Sequence, residues 1–499
     1  MNKPLPLRSV LKSFHIKKRN NRSMQNIKTI YSIIVFLLCI LNTGCIKDKN
    51  LYDDRLAEKK VISNPEFFYP YANETENHTA EITIQLREGV QLPNQPTAII
   101  PPLKYNKSWL FMLTQDDCRC EAFSCTWAAI HGKPISHNSS YDLAHLQIND
   151  LPSNCYYLGK TLGSTDGAGN EVRFSFTTTL SPEETWMDNT TTINKKNNSF
   201  KEQKGLIWGN VKEMLNFGIG IAFHDVIAAD VNNSDDIALH YEIAQDIILN
   251  RLQGRGCKML AEPNGNKTYV EAAHLYPPIK TLTAQAGAAK IHPFEEGLNL
   301  ENVLIERAFF DNQDVITRDI TNELSRPREQ RRMVYPGVHG TDASWANYLL
   351  WLNDTYGKDG DDSMWMPNQE EYYEYNYYTN HATMDIDYAD ERTIKLTVNL
   401  LGQKYFYYPS VTVNLSGIKL ESIKQISSND AVIGLSYANY ENGIMLNIDC
   451  RKFLTEHAEN FVKRYEANTA DASAKADALY FVNMLKDSDK KEELKKRIE

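Results

Sequence analysis

The middle of the chain alternates short apolar runs with helix-like stretches, and this order constrains the fold more than any other feature. The runs include Trp109–Leu113, Gly218–Phe223, Cys257–Ala261 and Val303–Phe310. Short apolar runs that alternate with helical segments are typical of parallel strands covered by helices. The sequence therefore predicts an α/β fold for this part of the chain.

Chemically useful side chains follow three of these predicted strands. Asp116 and Asp117 follow the first strand, His224 follows a second, and His339 follows a later run. The carboxyl ends of parallel strands meet at one edge, where α/β proteins build their sites. Asp and His suit Zn²⁺ or another first-row divalent metal, while a second carboxylate and a separate histidine could act as base and acid. The pattern predicts a metal-assisted hydrolase site; the alternative is a set of ordinary polar strand ends.

Three short motifs resemble those of the NodB-type polysaccharide deacetylase family. Thr114-Gln115-Asp116-Asp117 resembles the family's first motif, Thr-Phe-Asp-Asp-Gly. Phe223-His224-Asp225 is similar to the start of the second motif, and Val338-His339-Gly340 resembles the late motif that supplies an acid. The resemblance spans roughly residues 104 to 385.

This resemblance implies a distorted (β/α)7 barrel with assigned roles for the strand-end residues. Asp116 is then the general base and His339 the general acid, while Asp117 and His224 bind a divalent metal. The resemblance implies Zn²⁺ as the expected ion and a polysaccharide or oligosaccharide as the substrate.

The chain also departs from the family motifs. Cys118 stands where the first motif has glycine, and Ala228 stands where the second motif has another histidine. The closest counterpart of the third motif, Arg-x-Pro-Tyr, is Ala261-Glu262-Pro263-Asn264, which lacks the arginine. A metal site would therefore need a third ligand, and the candidates are Asp225, Asp230 and His240.

Three functions compete on this reading. The first is removal of acyl groups, such as acetyl, from a cell-surface or dietary polysaccharide. The alternative is a catalytically altered or inactive barrel that serves as a glycan-binding or structural surface lipoprotein. A glycoside hydrolase is disfavoured, because it needs two acids on separate strands, whereas the sequence offers one adjacent pair, Asp116 and Asp117.

The N-terminus predicts export and lipidation. Lys28 precedes the apolar run Ile30–Leu41, which is too short to span a membrane, and Asn42-Thr43-Gly44-Cys45 follows it. This segment resembles a bacterial lipoprotein signal in which Cys45 is lipidated, with an ordinary secretory signal as the alternative. Met24 as the start would leave a complete signal.

The segment that follows Cys45 predicts the cellular location of the protein. It is acidic and contains lysine, and it resembles the surface-export signal of Bacteroides-group lipoproteins. We expect a protein anchored at the outer membrane or cell surface through the lipid on Cys45.

The composition and the pattern of apolar and polar residues predict how the chain divides into segments. We predict a signal in residues 1–45, a polar tether with a short β-element in 46–103, the barrel in 104–388, a small β-sandwich in 389–450 and a helical segment in 451–499. The sandwich prediction rests on alternating stretches, including Ala431–Leu435.

The net charge of −10 argues against nucleic acid as a partner. Outside the cytoplasm, the cysteines between Cys118 and Cys155 predict a loop disulfide.

Overall fold

The computed structural model describes residues 67–71, 76–137, 139–190, 200, 204–310 and 312–499. Cys45 and the rest of the predicted signal lie outside the described residues. Within those described, no helix combines the length and the apolar character needed to cross a membrane.

The strands are numbered in chain order. Two precede the middle of the chain, β1 (His78–Leu86) and β2 (Ala98–Ile99). Short strands follow, namely β3 (Trp109–Leu110), β4 (Thr114–Gln115), β5 (Gly163–Thr165), β6 (Glu171–Arg173), β7 (Thr177–Thr179), β8 (Gly220–Ala222), β9 (Met259–Ala261), β10 (Thr281–Ala284), β11 (Leu304–Glu306), β12 (Ala308–Phe309), β13 (Pro336–Val338) and β14 (Met364–Trp365). The last strands are longer, namely β15 (Thr383–Asp390), β16 (Thr393–Leu400), β17 (Ser410–Ser416), β18 (Ile423–Ser428), β19 (Gly434–Tyr440) and β20 (Gly443–Asp449).

The strands of the middle region pair in parallel. One sheet has the order β12-β13-β4-β7-β8, and a second has the order β11-β10-β9. A parallel bridge between Phe223, which follows β8, and Leu260 of β9 links one sheet to the other. In the sequence, only Arg307 lies between β11 and β12. Strand β14 pairs in parallel with β3. These ladders confirm the predicted α/β class.

Helices lie between and after the strands. In chain order they are α1 (Ala128–Ile130), α2 (Leu143–Ile148), α3 (Trp208–Asn216), α4 (Ser234–Arg251), α5 (Lys267–Leu275), α6 (Gln313–Leu324), α7 (Ala343–Tyr356), α8 (Gln369–His381), α9 (Leu454–Ala467), α10 (Ala472–Met484) and α11 (Asp489–Ile498). Strands β7 to β10 are buried along their whole length. That pattern is expected when both faces of a parallel sheet are covered.

Helix α8 carries a buried charge cluster. Glu370 lies 2.9 Å from Arg255 and 3.0 Å from Lys258, and Lys258 lies 2.8 Å from Glu374. All four side chains are almost fully buried. Glu370 is therefore a buried ion-pair residue rather than a solvated charge at a helix start.

Four of the five tyrosines of α8 (Gln369–His381) face the core. Tyr372, Tyr373, Tyr375 and Tyr378 are each buried. These four rings therefore pack inside the protein.

Two four-stranded antiparallel sheets flank the parallel strands. Their orders are β15-β16-β1-β18 and β19-β20-β17-β2. Strand β1 comes from the segment before residue 104 and pairs with both β16 and β18. Apolar side chains of both sheets share one core cluster, including Ile82, Leu396, Val413 and Leu446. The predicted strand Ala431–Leu435 is misplaced, because the strand here begins at Gly434.

The three C-terminal helices pack on the main core. Phe461 of α9 stacks on Phe481 of α10 at 4.2 Å between ring centroids, and both rings contact Phe217, which follows α3. Leu494 and Ile498 of α11 are buried. The last helix is therefore amphipathic and docked rather than fully solvated.

The predicted loop disulfide does not form. Cys118, Cys125 and Cys155 carry free thiols. Cys118 and Cys125 are buried among apolar side chains, and burial raises the pKa of each thiol to about 12. These cysteines therefore act as small core residues.

Candidate active site

The predicted site residues lie at the carboxyl edge of the parallel strands. Asp116 directly follows β4, and its backbone N–H donates to the Val338 carbonyl at 2.8 Å. His339 therefore follows the neighbouring strand β13 at the same level. His224 comes two residues after β8, which lies two strands away from β4 in the same sheet.

The His224 imidazole faces both aspartates. Its Nε2 lies 3.7 Å from Asp116 Oδ2 and 3.6 Å from Asp117 Oδ1. Its Nδ1 lies 2.7 Å from the Ala261 carbonyl oxygen, which can only accept a hydrogen bond. Nδ1 therefore carries a proton, and Nε2 is the atom presented to the carboxylates.

A third acidic residue completes the cluster. One ligand atom each from Asp117, His224 and Asp225 lies within 4.8 Å of the others. His240 instead lies 2.5 Å from Glu183, and Asp230 accepts a hydrogen bond from the Asn232 backbone at 2.9 Å. Of the three candidates for a third ligand, only Asp225 lies close to both Asp117 and His224 among the described residues.

The turn after β4 is conformationally strained. Asp117 has a φ of 61° and Cys118 a φ of 49°, a region that non-glycine residues rarely adopt. This backbone explains why a glycine suits the position that Cys118 occupies. Such strain is typical of functional sites, and the Asp117 carboxylate at this turn lies 3.6 Å from His224 Nε2.

Arg307 is a site residue that the motif comparison missed. Its Nη1 donates to Asp116 Oδ1 at 2.6 Å, and its Nη2 donates to the Glu262 carbonyl at 2.8 Å. The side chain is 0% exposed. Arg307, which lies between β11 and β12, thus places an arginine beside Asp116, although the segment at Ala261 contains none. The available signal was an arginine inside the apolar run Val303–Phe310.

Gln115 anchors the loop that carries His339. Its amide nitrogen donates to the His339 carbonyl at 3.0 Å and to Thr341 Oγ1 at 3.2 Å, and its oxygen accepts from Thr126 at 2.8 Å. The His339 ring is exposed and lies 4.9 Å from the Phe309 ring, between centroids.

The electrostatics of the cluster favour a cation between the carboxylates. The interaction with His224, assisted by Arg119, holds the pKa of Asp117 well below its usual range. Burial lowers the pKa of His224, but Asp117 and Asp116 outweigh burial and raise it.

The donor set fits a divalent metal. Two carboxylates and one imidazole nitrogen are ordinary ligands for Zn²⁺ and related ions. Ligands about 2.0–2.1 Å from a single ion lie within about 4.2 Å of one another. The observed spread of 4.8 Å among Asp117, His224 and Asp225 therefore needs only a small closure of side chains.

The strands and the cluster define an α/β protein with a possible Asp–His–Asp metal site at the carboxyl edge of its parallel strands. The model of the family described as "Putative polysaccharide deacetylase" matches residues 80–499, and the chain belongs to that family. The match takes in the antiparallel sheets and the C-terminal helices as well as the parallel strands. Family membership points to the deacetylation of a polysaccharide. No curated protein matches the chain significantly.

Proposed function

We propose that this protein is a metal-dependent deacetylase of a polysaccharide, with its active site at Asp116, Asp117, His224 and Asp225. The observation that carries the proposal is the convergence of two carboxylates and one imidazole beside a third carboxylate, that of Asp116, which Arg307 holds in place. We further propose that the parallel strands form the distorted seven-stranded barrel that the family resemblance implies. Two observations support a closed barrel: the late strand β13 pairs with the early strand β4, and the Phe223–Leu260 bridge links β8 to β9.

In this proposal, different side chains bind the metal and accept the proton. Asp117, His224 and Asp225 would hold the ion. Zn²⁺ is the proposed ion, and when bound it would polarise the acyl carbonyl and lower the pKa of its water. Because Arg307 binds Oδ1 of Asp116, the other oxygen faces the cluster and can accept the proton of an attacking water.

His339 is the proposed general acid. It lies on the strand next to Asp116, is exposed to solvent, and is held through its backbone by Gln115. An acid at this place could protonate the departing oxygen or nitrogen of the glycan.

The rival function is a glycan-binding protein that has lost its chemistry. The buried Arg307–Asp116 pair and the strained Asp117 turn support the active form, because desolvating two charges and holding a non-glycine residue at positive φ each carry a free-energy cost. We also propose that the protein is lipidated at Cys45 and anchored at the outer membrane or cell surface, where it can reach glycan substrates. That segment lies outside the described residues.

The test of the function is acetate release from an acetylated oligosaccharide by the purified chain, before and after chelation. We expect release by the untreated protein, loss on chelation and recovery with Zn²⁺. Glycan binding without acetate release, in protein that carries its metal, would favour the rival function.

Metal content separates the proposed ligands from their neighbours. Asp117→Ala and Asp225→Ala should each weaken Zn²⁺ binding by more than the roughly 10–100-fold typical of changes outside the ligand shell. Asp230→Ala is the matched control, because Asp230 is an exposed carboxylate in the same loop that approaches no ligand. Zn²⁺ titration of the stripped protein measures the effect, and equal affinity in Asp225→Ala would remove Asp225 from the site.

Arg307→Lys tests the positioning of the base. Lysine keeps the charge but cannot reach Asp116 and the Glu262 carbonyl together. We expect kcat to fall about tenfold or more, with little change in KM or Zn²⁺ content. Arg331→Lys is the control, because Arg331 donates to backbone carbonyls away from the site. An unchanged kcat in Arg307→Lys would show that Asp116 needs no such support.

A further inference from the structure

A second cavity lies at the opposite edge of the parallel strands from the Asp116 site. Its lining includes Ser175, Gly218 and Arg255, which come shortly before β7, β8 and β9. The candidate catalytic residues instead follow their strands, and the extended segment from Gly218 to His224 spans about 20 Å. Among the described residues, none of the candidate catalytic side chains lines the cavity.

The cavity is large enough for an organic ligand. Its volume is about 270 Å³, which corresponds to roughly nine water molecules at about 30 Å³ each. Its walls come from the ends of the parallel strands, from the antiparallel sheets at Val411 and Ile448, and from the C-terminal helices at Leu454 and Tyr480. An ion alone would leave most of this space unfilled.

One wall consists of half-buried aromatic rings. Tyr71 contacts Tyr407 edge to face at 5.2 Å and Phe453 at 6.0 Å, between ring centroids. Each of these rings is neither buried nor fully exposed. Aromatic side chains in this state offer an apolar face together with a polar tip, which suits a ligand with both characters.

The lining also presents hydrogen-bond donors and acceptors side by side. Lys104 pairs with Glu371 at 2.9 Å, and Arg451 pairs with Asp449 at 2.6 Å. Within the described part of the chain, Oε2 of Glu371 receives no hydrogen bond. The buried Tyr378 hydroxyl, on a side chain 1% exposed, has no partner there either. A ligand hydroxyl can accept from the cations and donate to the carboxylates.

The lining is balanced in charge. It carries five acidic and five basic side chains. Burial lowers the pKa of His457, which also lines the cavity, to about 3, so this histidine adds no charge at neutral pH. A phosphate-bearing ligand would call for net positive charge, and a polycation for net negative charge. The balance favours a neutral ligand with many hydroxyl groups.

We propose that this cavity binds a neutral saccharide, as a second glycan site that is separate from the Asp116 centre. The Tyr71–Tyr407–Phe453 rings would contact the apolar face of a sugar unit, and the Lys104–Glu371 and Arg451–Asp449 pairs would bind its hydroxyl groups. Because no step of catalysis is involved, the second site stands even if the Asp116 centre proves inactive.

Calorimetry of the full chain with neutral tetrasaccharides tests the proposal. The probes are β-1,4-glucan, α-1,4-glucan and β-1,4-linked N-acetylglucosamine tetramers, and Asp116→Asn is the background that prevents turnover. We expect at least one tetramer to bind. Glu371→Gln should weaken that binding by about tenfold or more, because it removes a charged acceptor. Tyr378→Phe, which removes a single oxygen atom, should weaken it in the same direction.

The matched control is Glu301→Gln, because Glu301 pairs with His381 outside the cavity. It should leave the affinity unchanged, and thermal melts of all variants verify that each is folded. Failure of every tetramer to bind, or binding that survives both Glu371→Gln and Tyr378→Phe, overturns the proposal. Saccharide binding by the wild-type chain without any acetate release would contradict the deacetylase function alone.

Discussion

Asp116→Asn is expected to lower acetate release by about 10²–10⁴-fold while leaving the metal in place. The asparagine keeps the size of the side chain and can still accept a hydrogen bond from Arg307, but it cannot take up a proton. Initial rates of acetate release and metal content, measured on the same preparation, give the result.

Asp230→Asn makes the same chemical change on an exposed residue of the loop after His224 and should leave the rate unchanged. A wild-type rate in Asp116→Asn would place the base elsewhere. Loss of the metal together with the rate would make Asp116 a ligand instead of a base.

Glu370→Ala is expected to lower the free energy of unfolding by about 3–5 kcal/mol. The substitution leaves Arg255 and Lys258 buried, with Lys258 retaining only Glu374 as its acidic partner. Burial raises the pKa of Glu370, but Arg255 and Lys258 outweigh burial and lower it. The contribution of Glu370 to stability is therefore present at neutral pH and is lost as the pH falls through the lowered pKa.

Urea unfolding at neutral pH measures this loss. Glu301→Ala is the control, because the Glu301–His381 pair is partly exposed and should contribute about 1 kcal/mol or less. A destabilisation by Glu370→Ala no larger than that of Glu301→Ala would mean that the buried cluster contributes little.

The α/β class could be predicted from the sequence because buried parallel strands are continuous apolar runs. Helix α4 carries local signals for its start, because Asp235 and Asp236 lie in its first turn and the Asn233 side chain caps it. The pairing of β1 with β16 and β18 could not be predicted, because it joins segments some 300 residues apart that local periodicity cannot connect. The disulfide prediction failed because cysteine spacing does not show which thiols are buried apart from one another.

The candidate site was predictable only as far as its motifs are local. Asp116, Asp117 and His224 stand at or shortly after the ends of apolar runs, so a shared strand edge brings them together. Arg307 reaches Asp116 from a segment far away in sequence, and its place inside an apolar run marks it as unusual without showing which residue it contacts. Asp225 could be named as one of three possible ligands, but choosing it required the side-chain positions.

Anomalous X-ray diffraction from crystals soaked in Zn²⁺ tests most directly whether Asp117, His224 and Asp225 share one metal. We expect a single strong peak in contact with all three side chains, absent from crystals of Asp117→Ala. A peak elsewhere in the chain, or no peak in protein whose acetate release depends on metal, would contradict the proposed site.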